Sequence, residues 1–113
     1  MTAEAFKRQL EALSADYRRE LPAQLAALDA LWRGLAGGVE APARLADLQR
    51  ELHTLAGTAR TFGVAGVSEA ARAAETLLAP YCRRGKLPVA AKRAELERLL
   101  AALLRAGAPA PAP

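Results

Sequence analysis

The 113-residue chain has few of the residue types from which metal, redox or cross-linked sites are built. It contains one cysteine and one histidine, so no disulfide can close within the chain and no zinc site of the usual histidine and cysteine kind can form. The Gly-x-x-x-x-Gly-Lys pattern of a phosphate-binding nucleotide loop is also absent from the sequence. We therefore expect no metal, no cofactor and no catalytic nucleotide site of its own.

Aromatic residues and long apolar runs are equally scarce. Aromatics make up 4% of the chain although 52% of its residues are hydrophobic, and a core of alanine and leucine suits closely packed helices better than sheets. No apolar run approaches the roughly 20 residues of a membrane span. The first residues lack the basic and apolar regions of a secretory signal. These absences predict a cytoplasmic, all-α protein without a membrane partner.

Positive charge is in excess but dispersed. The formal net charge is +4, which by itself is compatible with nucleic-acid binding or with an anionic protein partner. The densest basic cluster, Arg83-Arg84-Gly85-Lys86, has no interleaved aromatic side chains to stack on bases. It also falls at a predicted helix C-terminus, where cations are favourable. We expect no nucleic-acid partner, and a basic helical nucleic-acid-binding domain is kept only as a minor alternative.

Apolar residues recur at helical spacing in four segments. From Phe6 to Leu35 the spacings of three and four continue through Pro22, which predicts one long first helix over about 3–36 with a kink near Pro22. The spacing predicts three further helices, over about 43–63, 66–83 and 88–105. Short glycine-containing connections between helices favour antiparallel neighbours. The predicted fold is an antiparallel four-helix bundle.

The bundle is expected to span residues 1–106. The last seven residues, Gly-Ala-Pro-Ala-Pro-Ala-Pro, have the composition of an extended, semi-rigid linker or tail. We therefore interpret 107–113 as a segment outside the bundle. The chain is expected to act as a monomer or as one domain of a longer protein.

His53, the only histidine, is the residue for which helical geometry indicates a reactive role. At about 100° per residue, the apolar stripe of the second helix averages about 130° away from His53, so the imidazole is expected to point away from the core. Gly57 follows one turn later on the same side, where a bare backbone lets another molecule approach. An exposed imidazole that is largely neutral at pH 7 is an accessible nucleophile.

Residues 52–63, Leu-His-Thr-Leu-Ala-Gly-Thr-Ala-Arg-Thr-Phe-Gly, resemble the motif His-x-Leu-Lys-Gly-x-x-x-x-Phe/Leu-Gly of histidine-containing phosphotransfer (HPt) domains. Residues 74–78, Ala-Glu-Thr-Leu-Leu, look like the Leu-Glu-x-x-Leu segment of the same family. The resemblance implies a phosphorelay intermediate that accepts a phosphoryl group on Nε2 of His53. The group would be exchanged with an aspartate of a response-regulator receiver domain. In chemotaxis-type systems the donor is instead a histidine kinase catalytic domain.

The resemblance also implies roles for the residues around His53. Glu75 matches the position from which family members orient the imidazole through its Nδ1. The chain departs from the motif at Ala56, where the family usually has a lysine near the phosphoryl group, and Arg50 and Arg60 are candidates to supply that charge. The expected partner-binding residues are Gln49, Arg50, Ala56, Gly57, Arg60 and Arg72.

The missing lysine leaves a second interpretation open. In that interpretation the chain is a degenerate HPt-like docking bundle, which binds a receiver through the same face without efficient phosphotransfer. An acid-labile phosphate on the chain separates the relay from both alternatives.

Overall fold

The computed structural model describes residues 2–36 and 41–108 of the chain. These residues form four helices and no strand: α1 (Ala3–Ala36), α2 (Ala41–Thr61), α3 (Ala65–Arg84) and α4 (Ala90–Ala106). The predicted all-α four-helix bundle is confirmed, and the predicted helix limits lie within two residues of the observed ones. Residues 37–40, in the predicted connection between the first two helices, include Gly37 and Gly38 and lie outside the described residues. None of the described helices is long and apolar enough to cross a membrane.

Leucine and small residues form the core between α2 and its neighbours. Leu45, Leu48 and Leu52 on α2 are fully buried, as their spacing predicts. On α3 the buried apolar residues include Val67, Ala71, Ala74 and Leu78, and on α4 they are Leu96, Leu100 and Leu103. Because alanines face α2 from α3, the two helices can approach closely.

The first helix is continuous through Pro22, as expected for one long element. Proline has no backbone N–H, but the apolar stripe on both sides of it packs on the same core, with Leu21 and Leu25 each 2% exposed. The expected kink near Pro22 stays a prediction. Tyr17, the first buried residue of the stripe, stacks on Phe62, which directly follows α2, with ring centroids 4.8 Å apart.

The N-terminal half of α1 carries apolar residues of the stripe that the bundle does not bury. Phe6, Leu10 and Leu13 are 60%, 42% and 55% exposed, and the first buried residue of the helix is Tyr17. The periodicity correctly marks the face that these residues share. The other helices of the bundle end near Tyr17, and α1 projects beyond them. Periodicity within α1 carries no information about where the other helices end.

Two glycines end α2 and α3 in the same way. Gly63 and Gly85 have φ of +77° and +66°, the left-handed conformation that glycine adopts without steric cost. In each turn the glycine N–H and the next N–H donate to helix carbonyls, the pattern of a Schellman cap. The predicted helix ends at these glycines are therefore confirmed.

The fourth helix begins and ends slightly later than predicted. Pro88 was expected in its first turn, but α4 begins at Ala90 after the extended residue Val89, and Pro88 is instead fully buried. At the other end Gly107 is buried, so the packed bundle includes the first residue of the segment interpreted as a linker. Apart from Gly107 and Ala108, that segment lies outside the described residues.

Replacement of Gly107 by alanine is expected to destabilise the bundle. A Cβ at this position would lie 2.1 Å from Cδ1 of the buried Leu25, so Leu25 must shift within a packed core, at a cost of about 1–3 kcal/mol in the free energy of unfolding. Gly34→Ala is the matched control. Its Cβ would meet only the Arg44 guanidinium, at 3.7 Å, and removal of a helical glycine should stabilise the fold by up to about 1 kcal/mol. Urea unfolding measures both; equal effects of the two substitutions would contradict this packing argument.

Candidate functional site

His53 lies on the outer face of α2, as its helical position predicts. Its side chain is 76% exposed, whereas Leu52 beside it is fully buried. The ring is nevertheless held by one specific contact: Nδ1 of His53 lies 2.7 Å from Oε1 of Glu75 on α3. The structure thus brings together the two residues that the sequence analysis assigned to phosphoryl acceptance and ring orientation.

The contact with Glu75 determines which ring nitrogen is available for chemistry. An ionised carboxylate can only accept a hydrogen bond, so Nδ1 of His53 carries the proton and donates it to Oε1 of Glu75. In the neutral ring, the lone pair is then on Nε2. Because Glu75 is 25% exposed while the imidazole is mostly exposed, Nε2 is the nitrogen presented to an approaching molecule.

The relative position of α2 and α3 is fixed by contacts just below the surface. Ser68, a buried polar residue of α3, donates from Oγ to the backbone carbonyl of Ala56 at 2.8 Å. Ala59 on α2 and Ala71 on α3 are fully buried. These small side chains and the buried hydrogen bond hold the two backbones in register, so that Glu75 reaches His53.

Ala56 does not belong to the exposed surface to which the sequence analysis assigned it. It is 5% exposed and part of the core, because this side of α2 faces α3 and the backbone carbonyl of Ala56 is bonded to Ser68. A lysine here would extend its long stem past the helix interface to solvent. An alanine methyl group cannot, so the expectation that the Ala56 side chain contacts a partner is corrected.

Gly57 leaves an open space one turn from His53. A Cβ built at this position would have no non-local heavy atom within 4 Å, so helix packing does not require glycine here. Glycine within a helix costs about 1 kcal/mol relative to alanine. The structure therefore offers no stabilising reason for Gly57, while its bare backbone lies open beside the imidazole.

The basic residues of this face differ in their surroundings. Arg50 is 69% exposed and its Nη1 lies 3.2 Å from Oδ1 of Asp47, so its charge is shared within α2. Arg60 and Arg72 form no ion pair within the described part of the chain and line a shallow groove of about 340 Å³ together with Ser68 and Glu69. Gln49, the remaining predicted surface residue, is partly buried.

A second groove beside His53 was not found by the sequence analysis. It lies between α1 and α2, encloses about 580 Å³, and has Leu28, Leu31 and Leu55 among its lining residues. Thr54, the neighbour of His53, also lines it. The apolar positions were visible in the sequence as members of the two stripes. How far apart α1 and α2 leave them depends on packing that the stripes do not specify.

Cys82, the only cysteine of the chain, is partly buried. Burial raises the pKa of its thiol, although the charge of Arg83 partly offsets this effect, so the thiol is protonated at neutral pH and weakly reactive. Its Sγ lies 3.5 Å from the carbonyl oxygen of Leu45. Within residues 2–36 and 41–108, no group of three or more histidine, cysteine or acidic side chains is placed to hold a metal ion.

Comparison with known proteins agrees with this arrangement. The family model described as Hpt domain matches residues 12–106, a range that contains His53, Glu75 and the whole of α2, α3 and α4. No curated protein matches the chain, and no solved structure does. Because the match covers most of the chain and the structure is the expected helical bundle, the protein belongs to the Hpt domain family, whose members are phosphotransfer intermediates of two-component phosphorelays.

Proposed function

We propose that the chain accepts a phosphoryl group on Nε2 of His53 and exchanges it with an aspartate of a response-regulator receiver domain. The observation that carries the proposal is the 2.7 Å contact between Nδ1 of His53 and Glu75 on an otherwise exposed ring. This contact favours the tautomer with the proton on Nδ1 and leaves Nε2 facing outward. A cytoplasmic location, and a histidine kinase catalytic domain as an alternative donor, belong to the same proposal.

The reaction needs only a neutral imidazole in line with the phosphorus. The Nε2 lone pair attacks the phosphorus of an aspartyl phosphate, an Nε2–P bond forms, and the P–O bond to the aspartate breaks with its electron pair on the leaving carboxylate. The ring then carries both the phosphoryl group and the Nδ1 proton, so it is positively charged. The carboxylate of Glu75, 2.7 Å from Nδ1, stabilises that charge and holds the ring in orientation.

Arg60 and Arg72 are the candidates to replace the missing lysine. Arg72 precedes Glu75 by one turn of α3, and Arg60 follows Gly57 by one turn of α2. Both line the same groove between the end of α2 and the start of α3. Long guanidinium side chains at these positions supply positive charge next to the phosphoryl group without passing through the buried Ala56 position.

The receiver is proposed to dock over His53 along α2. The open backbone of Gly57 lies one turn from the imidazole, and the groove that contains Leu28 and Leu55 is also lined by Thr54, the neighbour of His53. Such an arrangement joins an apolar contact area to a charged rim, as transient protein interfaces do. Gln49 and Arg50 extend this surface toward the start of α2.

Incubation with a phosphorylated receiver tests the proposal directly. The radiolabel should move to this chain and show the stability of a phosphohistidine, lost in acid and retained in base. No label on the chain with any of a panel of phosphorylated receivers, together with measurable binding to one of them, would contradict the relay. That result would support the degenerate docking bundle, which the buried Ala56 in place of the family lysine favours.

Removal of the Glu75 carboxylate is expected to slow transfer more than it weakens the fold. Glu75→Ala releases the ring, and misorientation of a reacting group costs on the order of 10- to 100-fold in rate. The unfolding free energy should change by no more than about 1 kcal/mol, because one partner of the pair, His53, is 76% exposed to solvent. Glu75→Gln keeps an acceptor without charge, so its transfer rate should be intermediate.

Glu97→Ala on α4 is the matched control for Glu75→Ala. It removes the carboxylate of another ion pair, the one with Arg93, and lies outside the proposed site. Imidazole ¹⁵N chemical shifts supply an independent measurement, with the proton on Nδ1 in the parent chain and a mixture of tautomers in Glu75→Ala. Identical tautomers and identical transfer rates in the two proteins would show that Glu75 does not orient the ring.

A further inference from the structure

The projecting half of α1, residues 3–16, carries an apolar stripe that the bundle leaves uncovered. Phe6, Leu10 and Leu13 are all more than 40% exposed and lie on the face that continues into the buried Tyr17. The segment is about 21 Å long. The Hpt domain match begins at residue 12, so most of the projecting segment precedes the part shared with the family.

The spacing of the stripe is that of a two-helix seam. The intervals from Phe6 to Leu10, Leu13 and Tyr17 are four, three and four residues, the alternation with which coiled-coil positions repeat. A single exposed helix cannot bury such a seam. Another helix with the same spacing can bury the seam. The projecting half of α1 in a second copy has that spacing because its sequence is identical.

Charge favours a second copy over an anionic surface. Residues 3–16 contain three acidic and two basic side chains, a net charge of −1, although the whole chain carries +4. An amphipathic helix that binds anionic lipid has its basic residues on the polar face. A nearly neutral segment gains no such attraction, and two copies of it repel each other little.

We propose that two copies of this chain associate through the projecting halves of α1, packed antiparallel. With coiled-coil spacing, Leu10 of each copy meets Leu13 of the other, and each Phe6 lies at the level of the other copy's Tyr17, which is itself buried against Phe62. At that end a groove of about 380 Å³, lined by Leu10, Ser14, Arg18 and Phe62 among others, lies beside the stripe to receive the phenyl ring.

The residues flanking the seam are compatible with this antiparallel pairing. Lys7 then faces Ser14 of the other copy, and Gln9 faces Asp16, so no like charges are opposed along it. The same patch is used by both subunits, which gives a closed two-fold dimer rather than a filament. This association differs from the monomer expected from the sequence.

The dimer should be weak and reversible. Two segments of about 21 Å bury less than the roughly 1,200 Å² of a stable specific interface. Dissociation in the micromolar range or above follows from so small a contact. Occupancy would therefore depend on protein concentration, and on whether the chain is held near another copy.

Sedimentation equilibrium of the 113-residue chain tests the dimer, over about 10 μM to about 1 mM. The weight-average mass should rise with concentration from 11.9 kDa toward twice that value. Leu10→Glu places a charge in the seam and should lower the association constant at least tenfold. Ala12→Glu makes the same charge change at an exposed position on another face of α1 and should leave association unchanged.

Three results would overturn the proposal. The first is a mass that stays at 11.9 kDa over the whole concentration range, and the second is equal association of the Leu10→Glu and Ala12→Glu variants. The third is a monomer in which Leu10→Glu weakens binding to a receiver or to anionic vesicles, since the stripe would then serve that partner. The dimer does not rest on phosphotransfer, so a failed label-transfer experiment leaves it standing.

Discussion

Replacement of His53 by glutamine is expected to abolish phosphorylation of the chain while leaving the fold almost unchanged. Glutamine has no nucleophilic ring nitrogen, so label transfer from a phosphorylated receiver should fall to background. The side chain of His53 is 76% exposed, and substitutions of exposed residues usually change the unfolding free energy by less than about 0.5 kcal/mol. Label transfer and urea unfolding, measured on the same preparation, give both quantities.

The two measurements separate a functional histidine from a structural one. Retained label in the His53→Gln variant would place the phosphoryl group on another residue and contradict the proposed chemistry. A loss of label accompanied by a large loss of stability would indicate that the ring supports the bundle. Cys82→Ala is a suitable control, because partial burial raises the pKa of that thiol and it should not carry phosphate.

Gly57 is expected to show opposite effects on stability and on partner binding. Because nothing lies near a Cβ at this position, Gly57→Ala should raise the unfolding free energy by about 1 kcal/mol. Gly57→Leu should also fold, but its side chain projects from the open backbone beside His53. Receiver affinity and transfer rate should then fall at least tenfold, which is a loss of about 1.4 kcal/mol of binding free energy.

Ala73→Leu is the matched control for an added exposed leucine. Ala73 is exposed on α3, and about 200° of helix rotation separates it from Glu75. The Ala73→Leu substitution should therefore leave receiver affinity unchanged. Isothermal titration with the receiver measures affinity for all three variants. Undiminished affinity in Gly57→Leu would remove this part of α2 from the docking surface.

The sequence predicts the orientation of His53 well because that orientation depends on one helix alone. A period of about 3.6 residues determines that His53 and the stripe through Leu52 and Ala59 lie on different faces. The partnership with Glu75 is different. It depends on how α3 is rotated and shifted against α2, which the buried alanines and the Ser68 hydrogen bond determine, and only the family resemblance pointed to it.

The burial of Ala56 and the exposure of Phe6 depend on neighbouring helices in the same way. Ala56 was assigned to the surface because the family has a lysine there, yet an alanine at a helix interface is buried. Phe6 continues the apolar stripe of α1, yet it is 60% exposed because no other helix extends far enough to cover it. Periodicity identifies a face, whereas its burial requires knowledge of the lengths and positions of the other helices.

The short glycine turn between α2 and α3 bears on the order in which the molecule assembles. His53 and Glu75 are only 22 residues apart, and the Schellman cap at Gly63 reverses the chain between their helices. Closing so short a loop costs little entropy, and contacts that are near in sequence favour rapid folding. The helical hairpin that contains the pair can therefore form early, with α1 docking onto it later in folding.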